Sequence, residues 1–144
     1  ELIIASSAND ENLKNNISTY LKAKYNDSSK DQNVKLFTTQ ATGVWMYNFI
    51  KMDPVPFLEK VKCPVLALNG SKDLQVPAVV NLEAIKKTLI ASGNKKVTTK
   101  VLPNLNHLFQ ECQTGLPIEY ERIEQTFSPI ALEEISSWLL VQAK

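Results

Sequence analysis

The sequence is poor in the features that mark several large classes of protein. Its 144 residues include 2 cysteines and 1 histidine, which supply neither a disulfide framework nor a recognised set of metal ligands. The 16 basic and 15 acidic residues give a net charge of +1, so no basic field is available for nucleic acid or an anionic membrane surface. No apolar run reaches the roughly 18 residues that would span a bilayer. We therefore expect no cofactor, no metal, no nucleic-acid partner and no membrane partner.

What is present favours a folded domain. Hydrophobic residues make up 44% of the chain, which is enough for a packed core. Cys63 precedes an apolar stretch and is expected to be a buried small apolar residue, whereas Cys112 lies in a loop. A Cys63–Cys112 bridge is the less favoured alternative, because nothing in the sequence sets the distance between them. The chain starts at Glu1 without a signal peptide, which indicates a cut inside a longer chain and leaves cytoplasm and periplasm both open.

The first third of the chain shows helical patterning. Apolar residues at helical spacing predict an amphipathic helix over 9–25 and a weaker one over 33–41. The aromatic-rich stretch 44–51 fits either a strand or a helix. The prolines that follow set a boundary, and Pro56 is expected to open a short helix over 57–61.

The remaining two thirds alternate between strand and helix signals. Short apolar or β-branched runs predict strands near 64–69 and 97–102, with a helix near 78–92 between them. A long polar loop then runs to about residue 127, and a final helix follows near 129–142. A strand joined to the next through a helix implies parallel pairing, so the expected class is α/β with two parallel strands and flanking helices.

Two ionisable residues follow the two predicted strands. Asp73 comes shortly after the first strand, and His107, which is the single histidine, lies in the loop after the second. Ligands of open parallel sheets bind beyond the carboxyl ends of the strands, so both side chains are expected at one edge. Histidine can take a proton from a hydroxyl near neutral pH, and a carboxylate on its other ring nitrogen orients it. Each residue alone could be a turn or structural residue; their order and placement make a catalytic pair an equal alternative.

The flanking sequence resembles a known family. The stretches DPVPFLEKVKCPVLALNGSKDLQVP (53–77), KVLPNLNHLFQ (100–110) and FSPIALEEISSWL (127–139) are similar to bacterial α/β-hydrolases of the esterase, serine-aminopeptidase-like and dienelactone-hydrolase-like groups. The resemblance implies that Asp73 is the acid and His107 the base of a catalytic triad. It also implies that 53–144 is the C-terminal portion of the hydrolase core and that 1–52 is a helical cap segment.

The family's nucleophile has no counterpart in this chain. The family carries a serine in a G-x-S-x-G turn, and none of the four glycines here frames a serine in that way. Ser6, Ser7 and Ser71 lie in no such turn. The resemblance therefore implies a serine hydrolase of esters or related acyl compounds, of esterase, thioesterase or peptidase type, whose isolated C-terminal part is inactive. A non-enzymatic binding or interaction module on a degenerate hydrolase fold is the alternative.

Two further expectations concern the surroundings of the pair. Trp45 and Phe109 are candidates for lining a substrate pocket, although aromatic residues of this kind are more often core. A sheet of two parallel strands leaves a strand edge and apolar side chains uncovered. We therefore expect the isolated chain to self-associate.

Overall fold

The structure is a computed structural model that describes residues 10–24 and 31–143. The chain divides into two compact units, Glu1–Asp53 and Pro54–Lys144. In the described ranges, no helix is long and apolar enough to cross a membrane, and no group of three potential metal ligands is present. Ser6 and Ser7 lie outside the described residues.

The described residues of the first unit form three helices. They are α1 (Asp10–Lys24), α2 (Asp31–Thr42) and α3 (Val44–Lys51). Leu13 and Ile17 lie one turn apart on α1 and are buried, and Ala41 and Tyr47 pack against them. The apolar positions on α1 thus form one face of a helix, as their spacing in the sequence predicts.

The stretch 44–51, which fitted either a strand or a helix, is helical. Its first turn is closed by a hydrogen bond of 2.9 Å from Tyr47 N to Gly43 O. Trp45 and Phe49, four residues apart, stack with their ring centroids 5.1 Å apart. Residues four apart are neighbours on a helix but lie far from each other along a strand, so this contact belongs to the helical alternative.

The second unit begins with a short helix, α4 (Val55–Leu58). The predicted helix over 57–61 is wrong in its position, since the observed helix starts two residues earlier. Pro56 occupies the first turn rather than preceding it, because an N–H group is not needed there.

A parallel sheet forms the centre of the second unit. Strand β1 (Val65–Gly70) pairs with β2 (Val97–Leu102), from Val65 opposite Val97 to Gly70 opposite Leu102. Helix α5 (Ala78–Ala91) connects them, and α6 (Pro129–Gln142) closes the chain. The expected class, α/β with two parallel strands and flanking helices, is confirmed. Because the two strands end in register, their exits lie at the same edge.

A small apolar core joins the sheet to the last helix. Leu102, Leu105 and Ala131 are buried, and Leu68, Phe109 and Phe127 pack against them. Ser128 is fully buried at the start of α6, where its Oγ accepts a hydrogen bond of 3.3 Å from Ile130 N. This serine cap fixes the point at which the preceding loop enters the helix.

The loop between β2 and α6 has more structure than its polar composition indicated. A 3₁₀ helix spans Pro117–Arg122, and an antiparallel bridge pairs Leu105 with Glu111. Ser128 N donates to Phe109 O at 2.8 Å, so the loop returns to the core at its end. The loop therefore has a defined backbone on both sides of His107.

Both cysteines carry free thiols. Cys63 is exposed, which corrects the expectation that it is a buried apolar residue. It lies before β1 rather than within it, and its carbonyl oxygen accepts from Asn94 Nδ2 at 2.9 Å. Cys63 thus contributes a backbone hydrogen bond to the fold, while its side chain is exposed.

Candidate active site

The turn that follows β1 comes into direct contact with the loop that follows β2. Lys72 N donates to Leu105 O at 3.0 Å, and Asn104 N donates to Ser71 Oγ at 2.8 Å. A Cβ atom placed on Gly70 would lie 2.1 Å from Leu105 O, far inside van der Waals contact. Only glycine at position 70 therefore allows the two loops to approach this closely. Ser71 acts here as a turn residue that accepts from the neighbouring loop.

Asp73 and His107 meet where the two loops touch. His107 Nδ1 lies 2.9 Å from Asp73 Oδ2, which is hydrogen-bonding distance. The Asp73 side chain is 6% exposed and the His107 side chain is 36% exposed. The carboxylate is thus enclosed while the imidazole reaches the surface.

The carboxylate of Asp73 is held by four donors. Oδ1 accepts from the backbone N–H groups of Gln75 and Val76, each at 2.9 Å. Oδ2 accepts from Asn69 Nδ2 at 3.1 Å and is the oxygen that meets His107. An ionised carboxylate accepts without donating, so this ring of donors fits the charged form.

The pKa of Asp73 is lowered from its ordinary value of 3.8. Burial of the carboxyl group acts to raise the pKa, because it disfavours the charged form. The hydrogen bonds from Val76, His107 and Gln75, together with the charge of His107, outweigh burial and lower it. Asp73 is therefore ionised throughout the neutral range.

The segment that carries His107 is anchored by the residue before it. Asn106 is fully buried, and its Oδ1 accepts from Leu108 N at 2.9 Å and Gln110 N at 3.0 Å. Its Nδ2 donates to Gln110 Oε1 at 3.0 Å. The side-chain amide thus closes a tight turn around His107. The described residues place no hydrogen-bond partner on His107 Nε2, so that nitrogen can exchange a proton with another molecule.

A second contact fastens the Asp73 turn to the loop around Cys112. Lys72 Nζ donates to Cys112 O at 3.0 Å and Gln113 O at 2.8 Å. Gly115 has φ +77°, and a Cβ atom there would lie 2.0 Å from Lys72 O. Glu119 accepts from the backbone N–H groups of Thr114 and Gly115, so this carboxylate stabilises the loop. Burial raises its pKa, but these hydrogen bonds and the charge of Lys72 leave the pKa below 4.5.

The two pocket candidates lie in different units. Trp45 is on α3, where it is 70% exposed and stacked on Phe49. Phe109 adopts φ +57° two residues after His107 and packs against Phe127, with centroids 5.4 Å apart. It lines a cavity of about 560 Å³ between β1 and α6. A substrate role for either residue stays a prediction.

Sequence reasoning named Asp73 and His107 but missed the amides around them. Asn69 is 8% exposed and Asn106 is 0% exposed, and each bonds within the site. Asn69 interrupts an otherwise apolar strand, and a polar residue at such a position was the available signal. Asn106 carried no comparable signal, since it lies in a polar loop.

An Asp–His pair at the carboxyl ends of adjacent parallel strands is compatible with part of an α/β-hydrolase fold. Among curated proteins, the chain is similar to acylamino-acid-releasing enzyme of Arabidopsis thaliana, with 40% identity over 68 residues. The matched residues are 46% of this chain but 8% of the relative, so the chain spans a small part of that protein. No family model matches the chain, and no solved structure does. The similarity supports an origin in a hydrolase family.

Proposed function

We propose that the chain is the C-terminal part of a serine hydrolase of the α/β-hydrolase superfamily, acting on carboxylic esters or related acyl compounds. Asp73 and His107 are the acid and the base of its catalytic triad. The observation that carries the proposal is the 2.9 Å contact between His107 Nδ1 and Asp73 Oδ2 at the shared edge of two parallel strands.

The chemistry follows from the two ring nitrogens of His107. With Nδ1–H donated to Asp73, the lone pair is on Nε2, the ring nitrogen that does not contact Asp73. Nε2 would take the proton of a serine hydroxyl as that oxygen attacks the acyl carbon, and would then pass the proton to the leaving group. Asp73, which stays ionised, orients the ring and stabilises the imidazolium that forms.

The nucleophile and the oxyanion-binding N–H groups are proposed to come from the rest of the protein. In that arrangement the unit from Pro54 onward supplies two of three triad residues, and the segment 1–52 is the cap. The bacterial origin that the flanking motifs suggested stays a prediction, since the relative reported above is a plant protein.

The substrate class is drawn from the acyl chemistry that a triad performs. Esterases, thioesterases and peptidases share the Asp–His pair, so the pair alone does not separate them. The name of the plant relative describes release of acylated amino acids. An N-acylated amino acid or peptide is therefore the first acyl substrate to test.

The first experiment compares the isolated chain with the full-length protein that contains it. The isolated chain is expected not to hydrolyse p-nitrophenyl acetate or an acyl-amino-acid anilide above the buffer rate, since its sequence contains no G-x-S-x-G motif. In the full-length protein, His107→Ala and Asp73→Ala should each lower kcat by about 10³-fold or more. Glu124→Gln, which changes an exposed carboxylate elsewhere in the unit, is the matched control and should leave kcat unchanged.

Two results would contradict the proposal. Rapid hydrolysis by the isolated chain that depends on His107 would show that the nucleophile is not elsewhere. A full-length protein without a strand–G-x-S-x-G–helix segment, and without turnover, would favour the alternative of a non-enzymatic binding module on a degenerate hydrolase fold.

A further inference from the structure

Asn69 is a buried amide in an apolar strand. It is the fifth residue of β1, after Val65, Leu66, Ala67 and Leu68, and it is 8% exposed. Burying an amide is costly unless its polar atoms find partners. Its Nδ2 has such partners, since it donates to Asp73 Oδ2 and to Val76 O, both at 3.1 Å.

These two bonds cross the turn that carries the acid. Asp73 Oδ1 is held by backbone N–H groups of Gln75 and Val76, which belong to the turn itself. Asn69 is different, because it donates from strand β1, outside the turn, to Oδ2, the oxygen that faces His107. This hydrogen bond from the strand limits the rotation of the Asp73 carboxylate about its Cβ–Cγ bond.

We propose that Asn69 is a positioning residue that acts through Asp73, its buried Nδ2 holding Oδ2 where His107 Nδ1 meets it. The catalytic role of Asn69 rests on the proposed function, whereas its effect on the Asp73 carboxylate rests on the hydrogen-bond geometry alone. A purely structural amide would need only the bond to Val76 O, and the state of the Asp73–His107 pair would not depend on it.

Nuclear magnetic resonance on the 144-residue chain separates these roles, because the chain has 1 histidine and its imidazole signals are unambiguous. In the unsubstituted protein, the side-chain NH₂ signals of Asn69 should move with pH at the same midpoint as the Asp73 carboxyl carbon. At neutral pH, the ¹⁵N shifts of His107 should report the proton on Nδ1.

Asn69→Leu removes the donor and keeps the number and branching of the side-chain heavy atoms. We expect the titration midpoint of the Asp73 carboxyl carbon to move to higher pH, because a hydrogen bond that favours the charged form is lost. The fraction of His107 that carries its proton on Nδ1 should fall. In the full-length enzyme the same variant should lower kcat with little change in KM.

Asn94→Leu is the matched control. Asn94 is also a buried amide in this unit, 5% exposed, but it bonds to Val61 O and Cys63 O in the segment before β1. It should destabilise the fold and leave the Asp73 midpoint and the His107 tautomer as they were.

The outcomes are distinct. An Asp73 midpoint unchanged in Asn69→Leu, or changed equally in Asn94→Leu, overturns the role of Asn69. If Asn69→Leu does not fold, the unsubstituted protein still tests the role. Side-chain NH₂ signals of Asn69 that do not move with the Asp73 titration would overturn it. A His107 tautomer that is insensitive to Asp73→Ala would instead defeat the proposed triad, independently of Asn69.

Discussion

At the residue scale, both carboxylate oxygens of Asp73 have hydrogen-bond partners. Two backbone N–H groups, one side-chain amide and one imidazole nitrogen surround its two oxygens. Hydrogen bonds to a charged group are worth roughly 1.5–3 kcal/mol each, against a desolvation cost that opposes them. The balance favours the ionised form, which is also the form that can orient an imidazolium.

The lowered pKa of Asp73 predicts how stability depends on pH. The folded carboxyl group binds its proton more weakly than the unfolded one, whose value is near 3.8. Its contribution is therefore fully present above that value and is lost as pH falls through the lower, folded pKa. Urea unfolding between pH 7 and pH 2 should show this loss.

Asp73→Asn should flatten that pH dependence and lower the free energy of unfolding at pH 7 by about 1–2 kcal/mol. Glu124→Gln is again the control. At each pH it should leave the free energy of unfolding within about 0.5 kcal/mol of that of the unsubstituted chain. An Asp73→Asn variant that loses stability in acid as steeply as the unsubstituted chain would refute the assignment.

At the scale of elements, two in-register strand ends and one close loop contact bring the pair together. β1 and β2 end opposite each other at Gly70 and Leu102. The turn after Gly70 then bonds to Leu105 through Lys72 N. The geometry of the site thus depends on backbone contacts between the two loops, in which neither Asp73 nor His107 takes part.

Gly70→Ala tests this contact. The added Cβ would lie 2.1 Å from Leu105 O, so one loop must move. Overpacking of this kind costs about 3 kcal/mol, measurable by urea unfolding, and should separate Asp73 from His107. Gly93→Ala is the control, since nothing lies within 4 Å of a Cβ there and its φ of +90° adds strain of about 1 kcal/mol. Equal losses in the two variants would rule out a special role for the contact.

At the scale of the whole molecule, the second unit has an uncovered face. Within the described residues the sheet has two strands, so β1 has one edge that no strand pairs. An apolar cavity is lined by side chains of β1 and the residue before it, of α6 and of the loop between β2 and α6: Pro64, Val65, Leu66, Leu68, Phe109, Phe127, Ile135, Trp138 and Leu139. Uncovered strand edges and apolar surfaces of this kind favour association.

Self-association of the isolated chain is the corresponding prediction. Light scattering during size-exclusion chromatography should give a mass above that of one chain at micromolar concentration. Leu139→Lys places a charge in the apolar cavity and should shift the mass toward the monomer. Leu140→Lys, on the next residue of α6 and 67% exposed, is the matched control. A stable monomer in the unsubstituted chain would disprove the prediction.

The sequence was sufficient to predict those features of the fold and the site that follow from patterns of neighbouring residues. Alternating strand and helix signals implied a parallel pair, and an acid and a histidine after successive strands implied a common edge. It was insufficient at 44–51, because aromatic residues suit both a strand and a helix until i, i+4 contacts form. It was also insufficient at Pro56, since proline is accepted at more than one position of a first turn.

By itself, the sequence determined the α/β class, the order of the elements and the two chemical groups that could act together. These follow from the periodicity of apolar residues and the chemistry of single side chains. Only the tertiary structure decided that Asn69 shares an oxygen of Asp73 with His107, and that Gly70 must lack a side chain. Both facts depend on contacts between residues distant in sequence or on opposite sides of a turn, and no local pattern encodes such distances.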